Sequence, residues 1–246
     1  MNILILAAGR APADIKDDQF PLCLTEFDGI PLIEAISQKL TLLETGKTIL
    51  AMPENDVVSF HLDRIAKLLF PNSVVIRTRG TTQGAACTAL LSIEHINNDE
   101  ELLIVSANEL VDLDFPSVIS SFRERNFDAG TITFPSVHPR YSYVRTNEDG
   151  LVVEAAQKNP ISRSATAGVF WFARGSDFVA AAKQMIRKGA RTDGMYFICP
   201  TFNELILTQA RIGTVHIEAK HYHPLKSERQ IHQFESLTET NAGSHQ

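Results

Sequence analysis

The chain opens Asn2-Ile3-Leu4-Ile5-Leu6-Ala7-Ala8-Gly9, an apolar run that passes directly into small residues. A short apolar run with no polar alternation is the pattern of a strand buried on both faces. Two alanines and a glycine at its end carry no bulky Cβ substituents, so a loop backbone there can approach a ligand closely. A strand covered on both sides calls for helices on both faces of a sheet, and the next 130 or so residues supply them by strict alternation.

Residues 32–44 place Leu32, Ile33, Ile36, Leu40 and Leu43 at helical spacing. Thr48–Met52 reads as a strand closed by Pro53. Residues 58–69 read as a helix with Ile65, Leu68 and Leu69 on one face, ended by Pro71. Val74–Ile76 is a strand. Residues 84–96 read as a helix entered through Thr81-Thr82-Gln83-Gly84, with Thr81 or Thr82 as its cap. Leu102–Val105 is a strand, 116–125 a helix with Pro116 in its first turn, and Gly130–Phe134 another strand. The expectation is an α/β fold with a mostly parallel central sheet, in which Leu4, Leu103, Ile104 and Ile132 are buried.

After residue 135 the texture becomes mixed. Tyr141–Arg145 and Leu151–Glu154 flank the turn signal Asn147-Glu148-Asp149-Gly150 and read as a hairpin. Ala167–Phe172 reads as a strand. Helices are expected at 176–188 and 201–210, a strand at 213–218 and a short helix at 226–234. Residues 1–235 are expected to form one domain, and the polar stretch 236–246 a disordered tail.

Bulk properties narrow the function. A chain of 246 residues, 44% of them hydrophobic, buries a sizeable core. The net charge of −6 and the lack of a basic run argue against nucleic acid as a partner. Three cysteines without C-x-x-C spacing argue against a disulfide framework or structural zinc and point to a reducing cytoplasm. The apolar start is too short to span a membrane and has no basic segment before it, so neither a signal peptide nor a membrane segment is expected.

Several motifs carry a family resemblance. Leu6-Ala7-Ala8-Gly9, Phe20-Pro21-Leu22 and Asp28-Gly29-Ile30-Pro31-Leu32-Ile33 follow the frame L-A-A-G, P-K-x-L and G-x-P-[LM]-[IL]. Gly84–Leu90, Leu103–Glu109, Val153–Pro160 and Ala167–Phe170 occupy further motif positions. In this layout the chain resembles the sugar-phosphate nucleotidyltransferases. That superfamily has a Rossmann-like, GT-A-like sheet. Leu102–Asn108, Phe122–Arg125, His138–Val144, Ala165–Gly168 and Phe202–Ile206 are similar to a capsule-biosynthesis branch related to the BcbE capsule protein.

The resemblance implies attack of a sugar phosphate on the α-phosphorus of an NTP, with Mg2+ as cofactor, in capsule or lipopolysaccharide biosynthesis. It implies an NTP or nucleotide-sugar and a sugar phosphate as ligands, with homo-oligomerisation left open. It places Leu6, Ala7, Ala8, Gly9, Gln83, Gly84 and Asn108 at the nucleotide, and Tyr143 and Gly168 at the sugar. Arg10, Glu109 and Lys158 are its catalytic candidates, with Lys158 at the sugar phosphate. The charged chemistry departs from the family pattern. Leu22 stands at the lysine position and Asn108 at the metal aspartate. Pro12 removes an amide from the phosphate loop, and Tyr222–Ser227 lacks the second metal carboxylate.

Compensation would come from Glu109 as metal carboxylate and from Arg10 and Lys16 as loop charge. Asn108 equally fits plain turn chemistry. Gln83-Gly84 fits either a base-reading loop or a plain helix entry. A protein of the same fold that binds without turnover is the alternative. A glycosyltransferase using Asp112 and Asp114 as a D-x-D pair is a second alternative, although these acids also suit a helix N-terminus. His221 and His223, sharing a strand face, lack a third metal ligand. Phe170 and Trp171 read as core.

Overall fold

The computed structural model describes residues 1–8, 20–27 and 29–224. The first half runs β1 (Asn2–Leu6), β2 (Glu26–Phe27), β3 (Ile30–Pro31), α1 (Leu32–Leu40), β4 (Lys47–Pro53), α2 (Glu54–Phe60), α3 (Leu62–Leu69), β5 (Ser73–Thr78), α4 (Ala85–Leu90) and α5 (Ile93–Ile96). Then come β6 (Leu102–Ser106), β7 (Glu109–Val111), α6 (Phe115–Glu124) and β8 (Ala129–Pro135). The second half has β9 (Ser142–Thr146), β10 (Val152–Gln157), β11 (Ser164–Phe172), α7 (Gly175–Arg187), α8 (Thr201–Leu207), β12 (Ile212–His216) and β13 (Tyr222–Pro224).

The strands β5-β4-β1-β6 form a parallel block, with Leu4 of β1 opposite both Ile49 of β4 and Ile104 of β6. This explains the unbroken apolar run. Alternate residues point to opposite faces of a strand, and both faces are covered. Ile3 and Ile5 join one core layer with α1 and α6, whereas Leu4 joins the other with α4, α7 and α8. Leu4, Leu103 and Ile132 have no exposed surface and Ile104 has 1%. The α/β expectation and its four marker residues are therefore met.

The mixed half begins at β11, which runs antiparallel to β6. Nine residues let this strand serve two neighbours on one edge. Val169–Phe172 pair with β6, while Ala165 pairs with Tyr143 of β9. Its other edge follows β8, which in turn holds β12 in parallel. The register along β8 shifts between Thr166 and Phe170, and Gly168, at φ +71°, lies in that interruption. The hairpin β9–β10 turns at Asn147, whose side chain accepts from the Leu151 amide.

Four local expectations need correction. The helix read at 58–69 begins earlier and is broken at His61, which has a left-handed φ of +53°. Its buried stripe is Leu62 and Ala66, flanked by half-buried Ile65 and Leu69, and Leu68 is 82% exposed. The segment 84–96 forms α4 and α5 with a turn at Leu91–Ser92 between them. Neither threonine caps α4. Gly84 is its N-cap, and the Thr82 hydroxyl bonds Gly84 O and Thr88 Oγ1 instead.

The short pairs β2–β3 and β7–β13 are too brief to leave a periodic signal. The helix read at 226–234 and the tail at 236–246 lie outside the described residues. Among the described residues no helix is long and apolar enough to cross a membrane.

Candidate functional site

In an open α/β sheet, ligands bind beyond the carboxyl ends of the parallel strands. At that edge the ends of β1 and β6 are small or neutral, whereas Glu54 and Arg79, which follow β4 and β5, pair with each other at 3.1 Å. The Ala7 amide donates to Ala51 O at 2.9 Å, and the Ala107 amide donates to Leu6 O at 2.9 Å. Sheet pairing thus continues one residue past β1 and β6, which fixes Leu6, Ala7 and Ala8 as a half-exposed ledge. Gly9, Arg10 and Lys16 lie outside the described residues.

Register carries this edge across the sheet. Leu6 is opposite Ser106. The pairing of Val169 with Val105 brings Gly168 level with Ser106, whose Cβ lies 3.3 Å from where a Cβ on Gly168 would stand. The Ala165–Tyr143 pair joins β9 to the same edge of β11, and the Lys158 amide donates to Tyr141 O at 2.9 Å. β6 and β9 thus follow one another along the same edge of β11, and Gly168 lies between their two contacts.

Asn108 lies in the tight turn between β6 and β7, and the Ser106 hydroxyl bonds its Oδ1. Glu109 begins β7 and turns inward. It is 7% exposed and accepts from the Tyr222 hydroxyl at 3.0 Å. A Cβ on Gly168 would come within 2.4 Å of Glu109 Oε2, so the missing side chain of Gly168 is the space this carboxylate fills. Tyr222 is stacked on Phe134 at 4.1 Å and meets Tyr141 edge-on. Burial and then the Glu109 charge push the Tyr222 phenol well above its ordinary range.

The pairing of β13 with β7 brings Tyr222, His223 and Pro224 alongside Glu109–Val111. This is the stretch matched to the family's second metal segment, and it carries no carboxylate through residue 224. Among the described residues no group of three His, Cys, Asp or Glu side chains is placed to hold a metal ion. Asn108 is a neutral amide, and the Glu109 carboxylate is committed to the core. These residues do not fit magnesium, a hard cation that takes charged oxygen ligands.

Asp112 and Asp114 face separate partners. Asp112 pairs with Lys39 at 2.5 Å and lies 3.7 Å from His223, whereas Asp114 starts α6 and accepts from Ser117 at 2.6 Å. His221 belongs to a 3-10 turn and His223 to β13, so the two do not share a strand. Burial lowers the His223 pKa, against the opposing pull of Asp112.

Gly84 has φ +106°, and a Cβ there would fall 2.4 Å from Tyr196 O. The Tyr196 amide donates to Gln83 O at 2.8 Å and the Ala86 amide to Tyr196 O at 3.0 Å. The glycine thus admits the backbone of residues 195–196, while the Gln83 side chain is exposed. Tyr143 has no exposed surface and its hydroxyl donates to His138 O at 2.6 Å. Its ring is packed as core and offers no surface to a sugar. Phe170 and Trp171 are buried. Lys158 is exposed and ion-paired to Asp193 at 2.8 Å. Sequence reading missed Asp193, although Asp193-Gly194 is a turn signal, and missed Tyr196 and Tyr222, which no local pattern marks.

Comparison with known proteins agrees with this geometry. No protein-family profile matches the sequence, and no curated protein is similar to it by sequence. Solved structures do match. The nucleoside-diphosphate-sugar pyrophosphorylase from Vibrio cholerae RC9 superposes with a TM-score of 0.79 at 17% identity, covering 95% of this chain and 99% of that one. A provisionally assigned glucose-1-phosphate thymidylyltransferase from Bacillus anthracis, in complex with a sucrose, gives 0.72 at 13% identity over 96% and 94%. The inositol-1-phosphate CTP transferase from T. maritima gives 0.71 at 15% identity over 93% and 90%. The fold is that of the sugar nucleotidyltransferases.

Proposed function

We propose that this chain binds an NTP or nucleotide-sugar on the ledge Leu6–Ala8, beside Gln83, Gly84 and Asn108, and a sugar phosphate at Lys158. The observation that carries the reading is the small-residue ledge at the carboxyl ends of β1 and β6, which β11 joins to the β9–β10 hairpin that leads to the exposed Lys158. The ledge lets a nucleotide lie against backbone, and Lys158 supplies a charge-assisted hydrogen bond to a phosphate. Gly168 shapes the floor between the two subsites. Motif resemblance to the capsule branch supports a role in surface-polysaccharide biosynthesis, with both ligands drawn from the cytoplasm.

The reaction of this pair of ligands is nucleotidyl transfer. A phosphate oxygen of the sugar phosphate attacks the α-phosphorus, the bond from the α-phosphorus to the α,β-bridging oxygen breaks, and pyrophosphate leaves. Two anions must meet, so this step needs cations around the triphosphate. Glu109 contributes by holding Tyr222 and the β7–β13 ladder under the site. Isotope exchange between pyrophosphate and NTP in the presence of a sugar phosphate tests the reading. Exchange that is lost in Lys158→Ala supports it, and absence of exchange with every NTP removes the transfer step.

A second reading, binding without turnover, is favoured by one observation: neither Asn108 nor Glu109 presents a charged carboxylate to the cleft. Nucleotide binding without exchange supports that reading.

A further inference from the structure

Two non-glycine residues with left-handed backbones face each other across the rim of the site. Lys158 has φ +57° at the end of β10, and Asp193 has φ +50°. Such conformations are uncommon away from glycine and persist where the surroundings hold them. Lys158 is held by the hydrogen bond that its backbone N–H donates to Tyr141 O. Asp193 is held by a two-residue turn. Thr192 and Met195 exchange both backbone hydrogen bonds at 2.9 Å, and Gly194 follows at φ +78°. Two successive positive φ values are what a tight hairpin turn requires.

The turn is anchored at its root, because Tyr196 is bonded to Gln83 and Ala86 and packed against Gly84. Asp193 is therefore carried on the same backbone as the nucleotide loop. Its carboxylate meets Lys158 Nζ at 2.8 Å, and the ammonium also lies 5.9 Å from the centre of the Phe197 ring. The side chains are 43% and 66% exposed for Lys158 and Asp193. The pair is thus open to solvent and to a competing anion.

We propose that Asp193 is a specificity-determining residue of the acceptor subsite: it neutralises Lys158 in the empty site and yields only to a dianionic phosphomonoester. This rests on the reading of Lys158 as the sugar-phosphate residue. An exposed Lys–Asp pair contributes about 0–1 kcal/mol, so it is readily displaced. A monoanion that displaces it exchanges one single charge for another and gains little. A phosphomonoester near neutral pH carries close to two charges and three acceptor oxygens, and gains more. Once displaced, Asp193 is free to accept hydrogen bonds from the hydroxyls of the acceptor.

The test is calorimetric titration of the wild-type chain, Asp193→Asn, Lys158→Ala and the double variant, with melting curves to confirm folding. The probes are glucose 1-phosphate, inorganic phosphate and the monoanionic diester dimethyl phosphate. Asp193→Asn should bind the two dianions about three- to fivefold tighter, the size expected for removing a surface ion pair, and should acquire measurable affinity for the diester. In the Lys158→Ala background the same change should have no effect. Unchanged or weaker dianion binding in folded Asp193→Asn overturns the proposal. Parallel titration with NTPs separates the two ideas. If nucleotide binds and Asp193→Asn leaves the dianions unaffected, the proposal alone falls. If no variant binds nucleotide or phosphomonoester, both fall.

Discussion

The two ends of the site differ in how they handle charge. At the proposed nucleotide end, Leu6, Ala7, Ala8, Ser106 and Asn108 are small or neutral, and the charges of Glu54 and Arg79 after β4 and β5 are paired with each other. Beside them, the Glu109 carboxylate is turned into the core beneath Gly168. At the proposed acceptor end, Lys158 and Asp193 stand exposed on strained backbone positions. Carboxylates at a cleft and carboxylates in a core differ in cost. The Tyr222 hydroxyl offsets part of the cost of burying Glu109 by donating to it.

The sharpest way to break this comparison is at the seam. Gly168→Ala adds a Cβ 2.4 Å from Glu109 Oε2 at a left-handed backbone position. It should cost about 3 kcal/mol of stability in denaturant titration. Adding Glu109→Ala should recover part of that loss, because the clash goes and only the backbone strain remains. Full stability in Gly168→Ala would show that the carboxylate is free to leave the core for the cleft.

Next in size is Tyr222→Phe, which leaves Glu109 without this donor in a buried place. A loss of about 2 kcal/mol is expected. The Tyr222 phenol is raised in the folded state, so its contribution is fully present below its ordinary value of 10 and is lost as pH rises through the folded value. The deficit of Tyr222→Phe should therefore be constant across neutral pH.

A smaller effect sharpens the nucleotide end. Leu22 lies in the 3-10 turn Leu22–Leu24 and is half-buried. Leu22→Lys combined with Asn108→Asp should tighten NTP binding about tenfold, or roughly 1.4 kcal/mol. No gain in a folded double variant would show that the triphosphate position itself is gone. The smallest effect concerns His223, whose burial lowers its pKa from 6.5. A depressed histidine stabilises the fold above its unfolded pKa and loses that stability as pH falls through the folded value. Melting curves should decline below about pH 6.5, by under about 1 kcal/mol, and His223→Gln should flatten that decline.

The frame was legible in the sequence because it rests on periodicity. Ile3, Leu4 and Ile5 announce a strand covered on both faces, and Asn147–Gly150 announces a hairpin. The breaks at His61 and Leu91 were not legible, since their apolar spacing continues through them and tertiary packing decides where the axis changes. Lys158 and Asn108 were singled out as candidates by motif position. The inward turn of Glu109 was not, because it depends on Gly168 and Tyr222, which are 59 and 113 residues away along the chain. The reason for Gly84 was likewise hidden, since the close approach is made by Tyr196.

The central claim is that the cleft still holds a nucleotide while its described residues no longer recruit magnesium. Calorimetric titration of NTPs and nucleotide-sugars into the folded chain, with and without magnesium, tests it most directly. The account predicts binding of at least one nucleotide, with an affinity that magnesium changes by less than about threefold. A gain above about tenfold that disappears in Glu109→Gln would contradict it, by showing that the carboxylate leaves the core to hold the metal.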